Sequence, residues 1–227
     1  MFHVIALAAA LQAAVAAQGP QPGAAAADDP PVSEATAYRE CVAMSAAEPA
    51  RAERMARQWV DQLEGGVPAR HCLGLAQLAL GKADEARTTF ESAARIAEAT
   101  GLAQASDLYR LAGEAALEGG DGAAALDLAN RAVLALPRGD GRASADAYLF
   151  RGSLHGAAGR LDEARGDLLA AVQNDRGRHE AWLLLAAAER RAGNLAGAES
   201  AIREALKLAP EDPATQQEAA AIADDLP

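Results

Sequence analysis

WLLLAAAERRAGNLAGAESAIREALKLAP, Trp182 to Pro210, reads as two helices joined by a turn. Trp182, Leu185 and Ala186 share one face of a first helix, Gly193 breaks it, and Ala198, Ile202 and Ala205 recur at helical spacing in a second. Pro210 then ends the unit. Each helix carries one apolar face, so the pair cannot bury itself alone and needs neighbours.

Those neighbours are in the sequence. RHCLGLAQLALGKADEARTTFESAARIA from Arg70, YRLAGEAALEGGDGAAALDLANRAVLALP from Tyr109 and YLFRGSLHGAAGRLDEARGDLLAAVQND from Tyr148 align with the first unit quoted, without gaps. In that register Ala86, Ala125, Ala164 and Ala198 are equivalent, as are Ala93, Ala132, Ala171 and Ala205 seven residues on, and a turn glycine precedes each at Gly81, Gly120, Gly159 and Gly193. Small residues at these places let helix backbones approach closely while aromatic and branched side chains fill the space beside them. The spacings are 39, 39 and 34, which predicts longer corners at residues 98–105 and 138–143, where Gly101 and Gly139-Asp140-Gly141 mark turns.

The four units resemble the tetratricopeptide repeat family, whose unit of about 34 residues carries an aromatic, a Leu-Gly pair, a turn glycine, two small residues in its second helix and a closing proline. Trp182, Leu185, Gly193, Ala198, Ala205 and Pro210 match it in the last unit, and Tyr109 with Gly113 and Tyr148 with Gly152 match it in the middle two. The first unit has Arg70 where the aromatic belongs but keeps Leu73 and Gly74; Ala186 replaces glycine in the fourth, and Glu98 and Arg176 stand at two closing positions. The resemblance implies an all-α fold, a right-handed α-solenoid of stacked helix-turn-helix repeats. Four repeats are expected at about 67–100, 106–139, 145–178 and 179–210. Residues 33–66 read as a degenerate helical pair ended by Gly65 and Gly66, and residues 211–227, opened by Asp212 and Pro213, as a C-terminal capping helix.

Composition agrees with close-packed helices: 63 of 227 residues are Ala and only 4% are aromatic, too few large groups for an ordinary sheet core. With 32 acidic against 21 basic residues and a formal charge of -11, the surface repels a phosphate backbone, so nucleic acid is not an expected partner. Val4 to Ala17 is an apolar run broken only by Gln12, and Ala14-Val15-Ala16 offers a small-x-small cleavage pattern. Residues 1–17 are therefore expected to be a signal peptide, although no Lys or Arg precedes the run, and residues 18–32, rich in Pro, Gly and Ala, a linker. The expected location is periplasmic or secreted; the alternative is an N-terminal tail kept on a cytoplasmic protein. No later stretch approaches the roughly 20 apolar residues of a membrane helix.

No motif points to catalysis, a metal or a cofactor. His3, His71, His155 and His179 are far apart in sequence, and Gly119–Gly122 and Gly139–Gly141 lack the Lys-Ser/Thr of a phosphate loop. Ser153 and His155 would point about 200 degrees apart on a helix. Cys41 and Cys72 fall on first helices of adjacent pairs, either as a disulfide permitted by export or as two small buried thiols.

By resemblance, a partner lies along a concave groove lined by first helices. The corresponding positions are His71, Leu75 and Leu78; Arg110, Glu114 and Leu117; Leu149 and Ser153; and Leu183, Ala187 and Arg190. Family members that grip a C-terminal carboxylate use Lys, Asn and Arg at places that here hold His71, Leu75, Leu111, Asp146 and Phe150, so a receptor of that kind is not expected. The leucines favour an apolar or amphipathic helical ligand, with Arg110 and Arg190 available for its carboxylates, unless those leucines are simply core. The expected function is a non-catalytic scaffold or adaptor for a protein or peptide, in envelope assembly, secretion or quality control. The alternative is a subunit that self-associates as a homo-oligomer or acts within a larger complex.

Overall fold

The computed structural model describes residues 33–62 and 65–226, and the chain divides into two units, Met1–Ala37 and Tyr38–Pro227. Of the first unit only residues 33–37 are described, the beginning of a helix; the expected signal peptide, 1–17, and linker, 18–32, lie outside the described residues. Among the described residues every regular element is a helix. They are α1 (Glu34–Ala47), α2 (Pro49–Gln62), α3 (Gly66–Ala79), α4 (Ala83–Ala99), α5 (Ala105–Glu118), α6 (Gly122–Leu134), α7 (Gly141–Ala157), α8 (Leu161–Asn174), α9 (His179–Arg191), α10 (Leu195–Leu208) and α11 (Pro213–Asp225).

From α3 onward each helix packs on the next, and first helices also meet across repeats, α5 with α7, α7 with α9 and α9 with α11. That nearest-neighbour pattern is a solenoid. Ala86, Ala93, Ala125, Ala132, Ala164, Ala171, Ala198 and Ala205 are all wholly buried. Facing them are the small residues of the first helices. A Cβ on Gly74 would lie 2.5 Å from the Phe90 ring and one on Gly113 2.7 Å from the Phe150 ring, so only hydrogen fits. Phe90, Leu108 and Tyr109 fill the core of the earlier repeats, and Leu168, Leu185, Ile202 and Ile222 that of the later ones.

Each repeat turns in the same way. Gly81, Gly120, Gly159 and Gly193 have φ of 71, 82, 73 and 77°, and the next residue's N–H donates back to Gln77, Ala116, His155 and Glu189 at 2.9 Å in every case. This is the left-handed glycine stop that satisfies the helix's last carbonyls. No such turn joins α1 to α2. Glu48 alone separates them, its N–H donating to Met44 and its carbonyl accepting from Ala52. Pro49, which has no N–H to donate, suits the first turn of α2.

The two longer spacings are largely absorbed as helix. α4 and α7 have 17 residues against 13 or 14 in the others, and α7 begins at Gly141 because the Asp140 side chain accepts from the Ala143 N–H at 3.0 Å. Only residues 100–104 and 135–140 remain as connections.

Overfilling the crossing exposes the constraint. Gly74→Val is expected to cost about 2–3 kcal/mol, because the wholly buried Phe90 ring has nowhere to move. Gly166→Ala, at an exposed place in α8 with nothing near its would-be Cβ, is expected to add up to about 1 kcal/mol. Chemical denaturation of the two variants checks both signs.

Candidate functional site

Where first helices stand side by side, the side chains between the crossings are left partly uncovered. One cleft of 290 Å³ results, lined by Arg110 and Glu114 of α5, Asp146, Leu149, Phe150 and Ser153 of α7, and Arg178, Glu180 and Leu184 at and after the start of α9. Its apolar part is Leu149, Phe150 and Leu184. Phe150 sits deep because Gly113 leaves room for its ring, and Leu149 and Leu184 rest on the later core.

The charged part is internally paired. Arg110 bonds Glu114 one turn along α5 and lies 4.0 Å from Asp107. Arg178 bonds Asp146 of the neighbouring first helix and approaches Asp175 at 3.9 Å and Glu180 at 4.0 Å. Burial raises the Asp107 carboxyl above its ordinary range, and the charges of Asp146 and Asp140 add to that, against Arg110 and Arg142. Ser153 donates its hydroxyl to the Phe150 carbonyl at 2.7 Å, the local bond of a helical serine.

Of the residues expected to form the groove, the structure brings Arg110, Glu114, Leu149 and Ser153 together. The rest lie elsewhere. Leu75 and Leu78 pack against the earlier core and Leu183 against the later one. Leu117 is exposed on the last turn of α5, and Ala187 is half-buried on α9. His71 is covered: its Nδ1 is 2.6 Å from the Tyr38 hydroxyl, and its ring packs between Tyr38 and Phe90. Burial, with the Arg110 charge behind it, lowers the His71 pKa. Arg190 is not free for a ligand carboxylate, because it donates to Glu218 at 2.7 and 3.2 Å and to Asp225 at 3.3 Å, fastening α11 to α9.

Sequence reasoning misses Arg178, Glu180 and Leu184, and marks Asp146 and Phe150 only as unlike a carboxylate clamp. A signal for the pair existed, since Asp146 and Arg178 stand 32 residues apart, close to one repeat.

Cys41 of α1 and Cys72 of α3 form a disulfide with Cα atoms 6.0 Å apart, both buried beside Ala56 and Leu73. His155 lies 3.7 Å from Asp167, which Arg151 already holds with two bonds of 2.7 and 2.8 Å; burial and then Arg160 lower its pKa. Among the described residues no group of three or more His, Cys, Asp or Glu is placed to hold a metal ion, and no helix is long and apolar enough to cross a membrane.

Residues 149–213 match the tetratricopeptide repeat family model. The fold is similar to that of YrrB, described as a tetratricopeptide repeat protein with an unusual peptide-binding site, at 19% identity and a TM-score of 0.61, covering 86% of this chain and 93% of that one. It is also similar to MamA residues 41 to the end from Desulfovibrio magneticus RS-1, at 20% identity and a TM-score of 0.61 over 79% and 97%, and to PilF of Pseudomonas aeruginosa, at 15% and 0.66 over 84% and 83%. No curated protein sequence matches the chain.

Both lowered histidines make stability depend on pH. Below the ordinary value of 6.5 the unfolded chain takes up protons that folded His71 and His155 resist, so their contribution is complete above 6.5 and declines as pH falls toward the lowered values. The melting temperature is expected to fall between about pH 7 and about pH 5.5, less steeply in His155→Gln. Arg190→Ala is expected to cost about 1 kcal/mol and to raise hydrogen exchange in α11 before the other helices.

Proposed function

We propose that this tetratricopeptide repeat protein is a non-catalytic scaffold that holds a segment of another protein in the cleft between α5, α7 and α9. The observation that carries the reading is the cleft itself: Leu149, Phe150 and Leu184 give it an apolar floor within a rim of charged side chains. A site of that make-up suits a peptide side chain, with the rim fixing orientation. The fold supports the same reading, since tetratricopeptide repeats are an interaction fold, and one protein of this fold, YrrB, is described as having a peptide-binding site.

Export belongs to the proposal too. The signal-like residues 1–17 favour it, and a buried disulfide between α1 and α3 suits an oxidising compartment. There the protein would serve envelope assembly, secretion or protein quality control.

The test is crosslinking of the tagged chain in its native cells, followed by purification and mass spectrometry, beside a variant with the cleft filled and charged, Ser153→Arg with Leu184→Glu. A partner captured by the natural chain is expected to fall at least about tenfold with the variant, whose circular dichroism should stay helical while its melting temperature falls, because Leu184 packs on the later core. Equal capture by both proteins would move the binding surface away from the cleft.

A further inference from the structure

We infer that the segment held in the cleft is basic: a large apolar side chain with lysine or arginine next to it, rather than an acidic or carboxylate-ended peptide. This rests on the cleft being the binding site. The charges that the cleft offers to an incoming chain decide this. Among the described residues Arg110 and Arg178 are the only cations lining it, and each has one close acid partner, Arg110 in Glu114 and Arg178 in Asp146, with Asp107 and Glu180 farther off at 4.0 Å.

Exposure sharpens the asymmetry. The two arginine side chains are 22% and 25% exposed, whereas Asp107, Glu114 and Glu180 are 48%, 39% and 66% exposed. The guanidinium groups are drawn inward with Asp146, which is 21% exposed, while Glu114 and Glu180 of the cleft and Asp107 beside it face outward, so the charge met at the rim is negative. A ligand carboxylate would meet the exposed Glu114 and Glu180 before either guanidinium, whereas a ligand ammonium or guanidinium is drawn to those two acids. Asp107, crowded by Asp146 and Asp140, would be relieved by an added cation. The chain's net charge of -11 also draws basic segments toward it and repels acidic ones.

The experiment is selection of a displayed library of random peptides on the purified chain, in parallel with the same selection on the Ser153→Arg, Leu184→Glu variant. Peptides pairing a large apolar residue with Lys or Arg should be enriched on the natural chain alone. The best of them, measured by fluorescence anisotropy, should bind about five- to tenfold more weakly to Glu180→Lys, and their binding to the natural chain should weaken as salt is raised. Glu180 is well exposed, so that substitution leaves the packing in place. Enrichment of acidic or uncharged peptides that the cleft variant loses would overturn the basic specificity and leave the cleft standing. Enrichment equal on both proteins, or none on either, would overturn the cleft and this inference together.

Discussion

Close approach of helix backbones is the constraint from which the rest of this structure follows. The second helices bring wholly buried alanines to the interior, and the first-helix glycines are closely covered: Gly74 by the Phe90 ring, Gly113 by the Phe150 ring of the next first helix, and Gly152 by Leu168. Interiors of this density tolerate little change in volume. The same approach determines the cleft, because Phe150 lies at its floor only where Gly113 admits the ring. A bulkier residue there would push the first helices apart and lift the apolar surface that a partner would touch.

Ion pairs complete what packing begins. Lys82 bonds Glu53 at 2.9 Å and Arg57 bonds Glu85 at 2.7 Å, tying α2 to the first repeat, while Arg165 of α8 forms an ion pair with Glu189 of α9 at 2.8 Å. The Lys82 and Arg57 bonds hold the Glu53 carboxyl below its ordinary pKa. At the far end Arg190 fastens α11. The disulfide does the same for α1, closing a loop of 31 residues' separation, which restricts the unfolded chain by roughly 3–4 kcal/mol in the loop-entropy description.

The solenoid was legible in the sequence because its determinants are periodic and local: turn glycines, small residues seven apart, aromatics opening first helices. The added residues were harder to read. Gly139-Asp140-Gly141 has the look of a turn, yet Asp140 is also a helix cap, and the cap won, so α7 starts a turn earlier than the repeat pattern implies. The cleft was legible in part. Arg110, Glu114, Leu149 and Ser153 are among the groove positions that the family resemblance implies, but which of Leu183 and Leu184 faces the cleft depends on how α9 is rotated, and that is set by packing. Arg190 illustrates the remaining gap: its partner Glu218 is 28 residues on, and nothing local marks an arginine as already paired.

A partner lying against the first helices would leave its mark on their backbone. Backbone amide shifts measured by NMR while the full chain is titrated with a bound peptide should change most in α5, α7 and the start of α9, around Arg110, Phe150 and Leu184. Changes concentrated instead in the second helices α4, α6, α8 and α10 would contradict that placement.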